Sequence, residues 1–503
     1  MTQGSSYRTI LRSSLIVGGA QVITIAVGLV KMKAVALLLG PAGVGLAGLY
    51  MNLVQASATV AALGLGTVAT RQIATAQVEG GEVAVGQIRR AVFWATLGLA
   101  CLGAALFWLA SGWIARSILA DESQADDVAW LTLGVALTVA AGSQAALLVG
   151  LRRVGDLARI NIGAAITGAV LGVLLLWLWG AQALIAMILA APLASYLLGL
   201  VYVARLGPPV GPRVPLAEMA GQWRAMLVLG LPFMTTGVVS LLAHLAARAL
   251  VQRELGLDAL GYFQAAWTIG MTYLGFVLSA MATDYYPRLT AAIRDREQAA
   301  RLVNEQTEVA LLLCAPVLLA MLGLAPWVIR LLYSAEFEPA IAILRWQLLG
   351  DILKVMSWPL GFVFLATGAG KTFLVTDTLA MTVFLAGIYI GLPLIGVEAT
   401  GVAFLALYAF HLPLVRWLGG RMIGFRWSRA VKLQAVLVIG AALLVDLASR
   451  WADVLGAAAG LILAGGMGMW ALTRLSEKIG GGGRLGRVAE LGKEVRKWVI
   501  GLK

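Results

Sequence analysis

An all-α, polytopic membrane protein built from two repeated halves is the fold class this sequence predicts. Three observations carry that expectation: apolar runs that recur from end to end, loops that sort by charge, and a long internal repeat. Of the 503 residues, 60% are hydrophobic and only 13% charged, and the mean hydropathy is +0.89. A helix needs about 20 apolar residues to cross the hydrocarbon core, whereas a β-barrel would show short alternating segments. The runs define about fourteen expected transmembrane helices, at 13–39, 43–70, 91–116, 129–150, 158–179, 181–204, 225–252, 258–283, 307–333, 339–366, 372–393, 397–418, 431–449 and 453–474. The opening stretch, MTQGSSYRTILRSS, carries Arg8 and Arg12 ahead of a long run without a small-residue cleavage pattern. It therefore reads as the start of a first helix and not as a removed signal.

The loops come next. LRRVGDLAR (151–159) and RWLGGRMIGFRWSRAVK (416–432) are basic and fall on one side of the membrane. SILADESQADDVA (117–129) and SAEFEPA (334–340) are acidic and fall on the other. Cytoplasmic loops are enriched in Lys and Arg, so both termini are expected in the cytoplasm and the number of spans is expected to be even. Such loops, together with attraction to anionic lipid, account for the net charge of +13 without nucleic acid as a partner. Cys101 and Cys314 lie apart within apolar runs, and His244 and His411 are the two histidines. No disulfide framework or metal centre is expected from that set.

The repeat organises the chain. When residue n is set beside residue n + 216, Leu39-Gly40 falls on Leu255-Gly256, Gly45 on Gly261, and Trp130 and Gly134 on Trp346 and Gly350. With a two-residue slip, GWIAR (112–116) falls on PWVIR (326–330). The expected domains are an N-lobe of six spans at 1–204, a cytoplasmic linker at 205–224 and a C-lobe of six spans at 225–420. Because six is even, the lobes share one orientation, related by an axis along the membrane normal, with a central cavity between them near the midplane. The linker, RLGPPVGPRVPLAEMAGQWR, contains four prolines that oppose a helix. Two extra spans at 421–475 lie outside the repeat, and a basic tail occupies 476–503. In the tail, GGGG (480–483) is a flexible joint. The residues after it read either as an amphipathic helix on the inner membrane surface or as a disordered basic segment.

Charges inside the spans are the candidate functional residues. A lysine at the centre of a membrane helix costs roughly 2.5–3.5 kcal/mol on insertion scales, yet the first span holds Lys31 and Lys33. Lys31 precedes Gly40 by nine residues, about 13 Å at helical rise, so it falls near the midplane of a core whose half-thickness is about 15 Å. Position 32 maps onto Arg248, so each half delivers cationic charge at one depth, aimed at a central cationic cavity. Lys31 and Lys33 point about 200° apart, so one of them is left to snorkel or pair. The bland alternative is that the whole set snorkels. In the tenth span Asp351 and Lys354 share a helix face. They form either a self-neutralising pair or an ion-coupling site, in which the carboxylate exchanges its partner for a proton, sodium ion or substrate. Asp377, nearer the cytoplasm, is a second coupling candidate, and Asp446 lies close to the outer face. Lys31, Lys33 and Arg248 suit an anionic substrate, with phosphate or pyrophosphate the natural choice. GAGKT (368–372) has Leu365 where a nucleotide-binding loop needs glycine, so it reads as a tight turn. Transport would then draw on a gradient, with no cofactor beyond a coupling H+ or Na+.

KMKAVALLLGPAGVGLAGLY (31–50), WQLLGDILKV (346–355) and YPRLT (286–290) together resemble Wzx-type flippases, the translocases of O-antigen and enterobacterial common antigen. The resemblance covers about residues 10–420. It implies membership of the MOP exporter superfamily and two six-helix lobes around a cationic cavity. It also implies movement of undecaprenyl-pyrophosphate-linked oligosaccharide from the inner to the outer leaflet of the cytoplasmic membrane by alternating access. Within it, Lys33 matches a first-helix lysine, Arg248 a seventh-helix arginine, and Asp351 and Lys354 the acid and base of the tenth-helix string. Lys31 aligns with a cavity arginine of the more distant lipid II flippase. Membrane lipids, a polysaccharide polymerase and a chain-length regulator are the partners it implies. The extra spans depart from the twelve-span type; a lipid-tail groove and a docking surface are the two roles the resemblance offers them. Three rivals stand beside this reading. A multidrug or small-molecule antiporter would want an acidic site. A membrane enzyme would want large outer loops, and those here are short. A non-transporting scaffold is the third.

Overall fold

A computed structural model gives the structure, which describes the backbone of residues 3–212 and 216–479. The expected amphipathic tail therefore lies outside the described residues, apart from its first four positions. Among the described residues all regular structure is helical. The first half comprises α1 (Gln3–Ala61), α2 (Leu65–Glu79), α3 (Gly81–Ile114), α4 (Ala125–Gly150), α5 (Val154–Trp179) and α6 (Leu184–Ala204). There follow α7 (Leu216–Ala292), α8 (Arg296–Leu332), α9 (Pro339–Ala366), α10 (Gly370–Ile395), α11 (Ala399–Ile423), α12 (Arg429–Trp451) and α13 (Asp453–Ile479).

Ten helical stretches among the described residues are long and apolar enough to cross a membrane. Four of these, of 44, 51, 46 and 54 residues, are roughly twice the length one crossing needs. Each is interrupted internally, at a place where the sequence ends one expected span and begins the next. Gly40 interrupts α1, Gly180–Ala183 separates α5 from α6, Gly256 interrupts α7, and Gly396–Glu398 separates α10 from α11. Gly40 has φ 64 and ψ −164, and Gly256, its counterpart in the repeat, has φ 85 and ψ −177. That backbone region is closed to L side chains by their Cβ atoms, which is why glycine occupies both. Pro41 follows the first bend, and its missing N–H costs nothing in the opening turn of the next segment.

Several helices extend beyond the expected spans, with α3 starting at Gly81, α8 at Arg296 and α7 ending at Ala292, and two boundaries change how the chain is divided. The second span ends at Ala61, not near residue 70, because Leu63 (φ 46) and Gly64 (φ 73) turn the chain. Beyond that turn α2 is a separate amphipathic helix that buries Leu65, Val68, Ala69, Ile73 and Ala76, a spacing that repeats on one helical face. The expected linker at 205–224 is shorter as a non-helical segment. α7 begins at Leu216, directly after the last of the four prolines, where LAEMAGQWR offers nothing to break a helix. The linker is tied to α3 by two arginines. Arg89 donates to the carbonyls of Gly207 at 2.7 Å and Val203 at 3.2 Å, and Arg90 donates to those of Pro209 at 2.6 Å and Pro212 at 2.5 Å. GAGKT forms a turn: α9 ends at Ala366, Gly368 takes φ +72, and α10 begins at Gly370.

Among the described residues the chain divides into two compact units, one running up to residue 264 together with 332–336 and the other from 265 to 331 and from 337 onward. In the first, the stretch after the bend at Gly40 packs backbone to backbone against the stretch after the bend at Gly256. A Cβ on Gly45 would stand 2.6 Å from the carbonyl oxygen of Leu257 and 2.7 Å from the nitrogen of Gly261. A Cβ on Gly261 would collide with the carbonyl of Pro41. Gly45 and Gly261 are repeat counterparts, and so are Pro41 and Leu257, so the contact is self-complementary in the manner of a two-fold interface. In the second unit a core forms around Tyr285, Leu289, Val303, Leu360, Phe364 and Val415. There α13 lies close against α8, since a Cβ on Gly460 would stand 2.8 Å from the Leu319 carbonyl, the close approach small residues permit between membrane helices. Arg345 pairs with Asp453 at 3.1 Å and adds an ion pair between α9 and α13.

Candidate translocation site

The three phosphate-binding candidates, Lys31, Lys33 and Arg248, fall in the first unit. Lys31 on α1 is 8% exposed, and none of the ion pairs among the described residues includes it. Lys33 leaves the helix in another direction, is half-buried, and donates to the carbonyl oxygen of Tyr333 at 2.6 Å. The angular separation of the two lysines is thus met by giving them different surroundings. Arg248 is 2% exposed. Its Nε donates to Oε1 of Gln264 at 3.0 Å and its Nη1 to the carbonyl of His244 at 3.0 Å. Its guanidinium lies 5.6 Å from the centre of the Phe263 ring, within cation–π range. These contacts hold the group in one orientation without removing its charge.

A second tie resembles that of Lys33. Gln252 donates to the carbonyl of Leu119 at 2.5 Å. With the two-residue slip of the repeat, Leu119 is the counterpart of Tyr333. In each half, then, a polar side chain of the first long helix reaches a carbonyl contributed by the other half.

The second unit holds the acidic candidates. Asp351 is fully buried. Its Oδ2 accepts from the Tyr273 hydroxyl at 2.8 Å, and its Oδ1 lies 4.0 Å from Lys354 Nζ, at the outer limit of an ion pair. Lys354 is enclosed by soft and aromatic partners, with Nζ 3.3 Å from Met271 Sδ and 5.7 and 5.8 Å from the ring centres of Phe404 and Tyr408. One turn before Asp351, Gln347 is fully buried, and neither its Nε2 nor its Oε1 has a hydrogen-bond partner; Asp351 Oδ1 lacks one too. Gly270 faces both residues: its Cβ would be 3.3 Å from Gln347 Oε1 and 3.8 Å from Asp351 Oδ2. A buried donor or acceptor left unsatisfied costs about 1–3 kcal/mol, so this cluster carries unused capacity for a proton, a water or a small cation. Asp377 is half-buried in the second turn of α10.

The structure therefore assembles Lys31, Lys33 and Arg248 in one unit, and Asp351, Lys354 and Asp377 in the other. The residues that position them were missed by reading charges alone. Gln264 and Tyr273 are uncharged side chains inside apolar runs, and Tyr333 acts through its backbone carbonyl, which any residue carries. Charge inside membrane spans is costly and in membrane proteins is kept for function, so the fold and the buried charges define a multi-pass membrane protein with charged groups in its interior.

Comparison with known proteins makes the class more definite. The model of the polysaccharide biosynthesis protein family matches residues 34–342, more than half of the chain. The chain belongs to that family. It is 24% identical over 196 residues to the lipid III flippase of Escherichia coli (strain K12), and the match takes in 39% of this chain and 46% of that protein. The chain thus spans about half the length of the curated relative it matches. In fold it is similar to the lipid II flippase MurJ in an inward closed conformation, with a TM-score of 0.71 and 13% identity over 92% of this chain and 98% of that one. It is also similar to an inward-facing multidrug resistance transporter of the MATE family, with a TM-score of 0.62 and 16% identity over 83% and 96% of the two chains.

Proposed function

We propose that this protein is a flippase for undecaprenyl-pyrophosphate-linked oligosaccharide, of the O-antigen or a related repeat unit. It would move the lipid from the inner to the outer leaflet of the cytoplasmic membrane, with both termini cytoplasmic. The observation that carries the reading is the burial of Lys31 and Arg248 within spans, 8% and 2% exposed, at a cost of roughly 2.5–3.5 kcal/mol for each such charge. A pyrophosphate offers the charge and acceptor oxygens that offset this cost. Lys31 and Arg248 bind the headgroup, and Lys33 contributes when its tie to Tyr333 opens. Asp351, with Lys354 and Gln347 beside it, serves as the ion-coupling centre for H+ or Na+, and Asp377 is its secondary candidate. The protein acts as a transporter and not as an enzyme, beside membrane lipids, the polymerase and the chain-length regulator. The alternative, a small-molecule antiporter, is favoured by one feature, the buried carboxylate of Asp351, which a cationic drug would also suit.

The test is leaflet transfer of a fluorescent undecaprenyl-pyrophosphate oligosaccharide in proteoliposomes, with and without imposed proton and sodium gradients. Gradient-dependent transfer is expected. Folded protein that transfers none of this lipid under any gradient, yet exchanges an organic cation for protons, would establish the antiporter reading instead.

A further inference from the structure

The first unit contains a cavity of about 620 Å³ among α1, α4, α5 and α6, within the roughly 300–1,000 Å³ of small-molecule sites. Four amide side chains from three helices line it: Gln21 and Gln55 of α1, Gln144 of α4 and Asn161 of α5. Among the described residues, its lining has no charged and no aromatic side chain. Thr24 and Thr138 also line it. Each donates its hydroxyl proton to its own helix, to Ala20 O at 2.9 Å and Gly134 O at 2.7 Å, which leaves the oxygen lone pairs for another donor. The Oε1 of Gln144 is buried and has no hydrogen-bond partner. It is seated against Gly199, where a Cβ would collide with it.

Polar groups inside membrane spans are expensive unless they serve one another or a cavity, and here amide capacity converges on a cavity. Amides both donate and accept, which matches a ligand whose surface alternates hydroxyl donors and acceptors. A lining without charge offers nothing to a carboxylate or an ammonium group. Thr24 precedes Lys31 by seven residues, so the two share a face of α1 about 10 Å apart.

We infer that this cavity is a saccharide subsite, selective for an uncharged sugar of the lipid-linked glycan. The inference rests on the flippase reading, in which Lys31 holds the pyrophosphate while the attached sugars lie along the same face of α1 in the cavity. Gln144 and Asn161 hydrogen-bond sugar hydroxyl or acetamido groups, and Gly199 makes room for Gln144 to do so.

The experiment measures binding of two lipids to the full-length protein in nanodiscs: undecaprenyl pyrophosphate bearing an uncharged N-acetylhexosamine oligosaccharide, and undecaprenyl pyrophosphate without sugar. Wild type should bind the glycosylated lipid about tenfold or more tightly than the bare one, the scale of one or two hydrogen bonds. Gln144→Leu and Asn161→Leu should reduce the glycosylated lipid's affinity to that of the bare lipid and leave bare-lipid binding unchanged. Retained bare-lipid binding also shows that the variants are folded. Gly199→Ala should reproduce the Gln144→Leu result through displacement of the amide. Arg248→Ala should weaken both lipids alike. Equal affinity of wild type for the two lipids, or cavity variants that leave the glycosylated lipid's advantage intact, would overturn the subsite and leave the flippase reading standing. Binding of neither lipid by wild type would overturn the reading on which the subsite depends.

Discussion

In the first half of the chain Gly40 bends α1 at φ 64 and ψ −164, and 216 residues later Gly256 bends α7 at φ 85 and ψ −177. Gly45 and Gly261 then meet across one close contact. The side chains do not follow the backbone so closely. The register that places Arg248 in the second half places Met32 in the first. Asp351 and Lys354 stand where the first half has Val135 and Thr138; Val135 is fully buried, and Thr138 donates to its own helix at 2.7 Å. Bends and close contacts admit one solution, a glycine, so both halves contain it. Buried chemistry differs between the two compact units: uncharged amides with Lys31 and Arg248 in the first, an acid–base pair in the second.

The sharpest way to break this comparison is to rewrite the second half with the residues of the first. Lys354→Met alone leaves the buried Asp351 carboxylate without its cationic partner, and should destabilise by about 3 kcal/mol, the scale of breaking a buried pair. The double variant Asp351→Val/Lys354→Thr removes both charges together and should lie within about 1 kcal/mol of wild type. Unfolding in detergent distinguishes the two. Equal losses would mean that the pair is not coupled and that the two units do not differ in the way described.

Next in size are the counterpart glycines. Gly45→Ala and Gly261→Ala should each cost about 1–3 kcal/mol, as overpacking of a close contact does, and by similar amounts. A large loss at one and none at the other would break the symmetry. The paired ties should be weaker. Lys33→Met and Gln252→Leu each remove one hydrogen bond to a carbonyl, at 2.6 and 2.5 Å, and should lower stability by about 1 kcal/mol apiece. No change in the melting of either variant would remove the ties from the account.

The smallest effect lies at the turn between α3 and α4. Ser123 and Gln124 donate to the Asp121 carboxylate, and these bonds hold its carboxyl below its ordinary value of 3.8. A lowered carboxylate favours folding above that ordinary value, and the contribution fades as pH falls through the folded-state value. Asp121→Ala should therefore melt slightly earlier than wild type at neutral pH and coincide with it in strong acid. A gap that widens on acidification would reverse the sign.

Much of the fold was legible because its signals are local. Apolar run length marked the helices, and a glycine at a fixed offset marked both long bends. The break at Leu63-Gly64 was not legible, since it lies inside an unbroken apolar run and hydropathy does not register a turn. The identity of the charged candidates could be read from one position each, but their partners could not. Tyr333 lies 300 residues from Lys33, and Tyr273 lies 78 from Asp351. Only folding brings these residues together, and uncharged side chains give a charge scan nothing to find. The amide cavity was hidden for the same reason.

The proposed function divides the labour: the cations of the first unit would hold the lipid, and the acid of the second would couple its movement. The most direct test is proteoliposome transfer of undecaprenyl-pyrophosphate oligosaccharide by Arg248→Ala and by Asp351→Val/Lys354→Thr, side by side, with and without gradients. Arg248→Ala should lose transfer under every condition. The double variant should still equilibrate the lipid between leaflets and lose only its response to the gradient. Wild-type transfer by Arg248→Ala, or the same defect in both variants, would contradict the account.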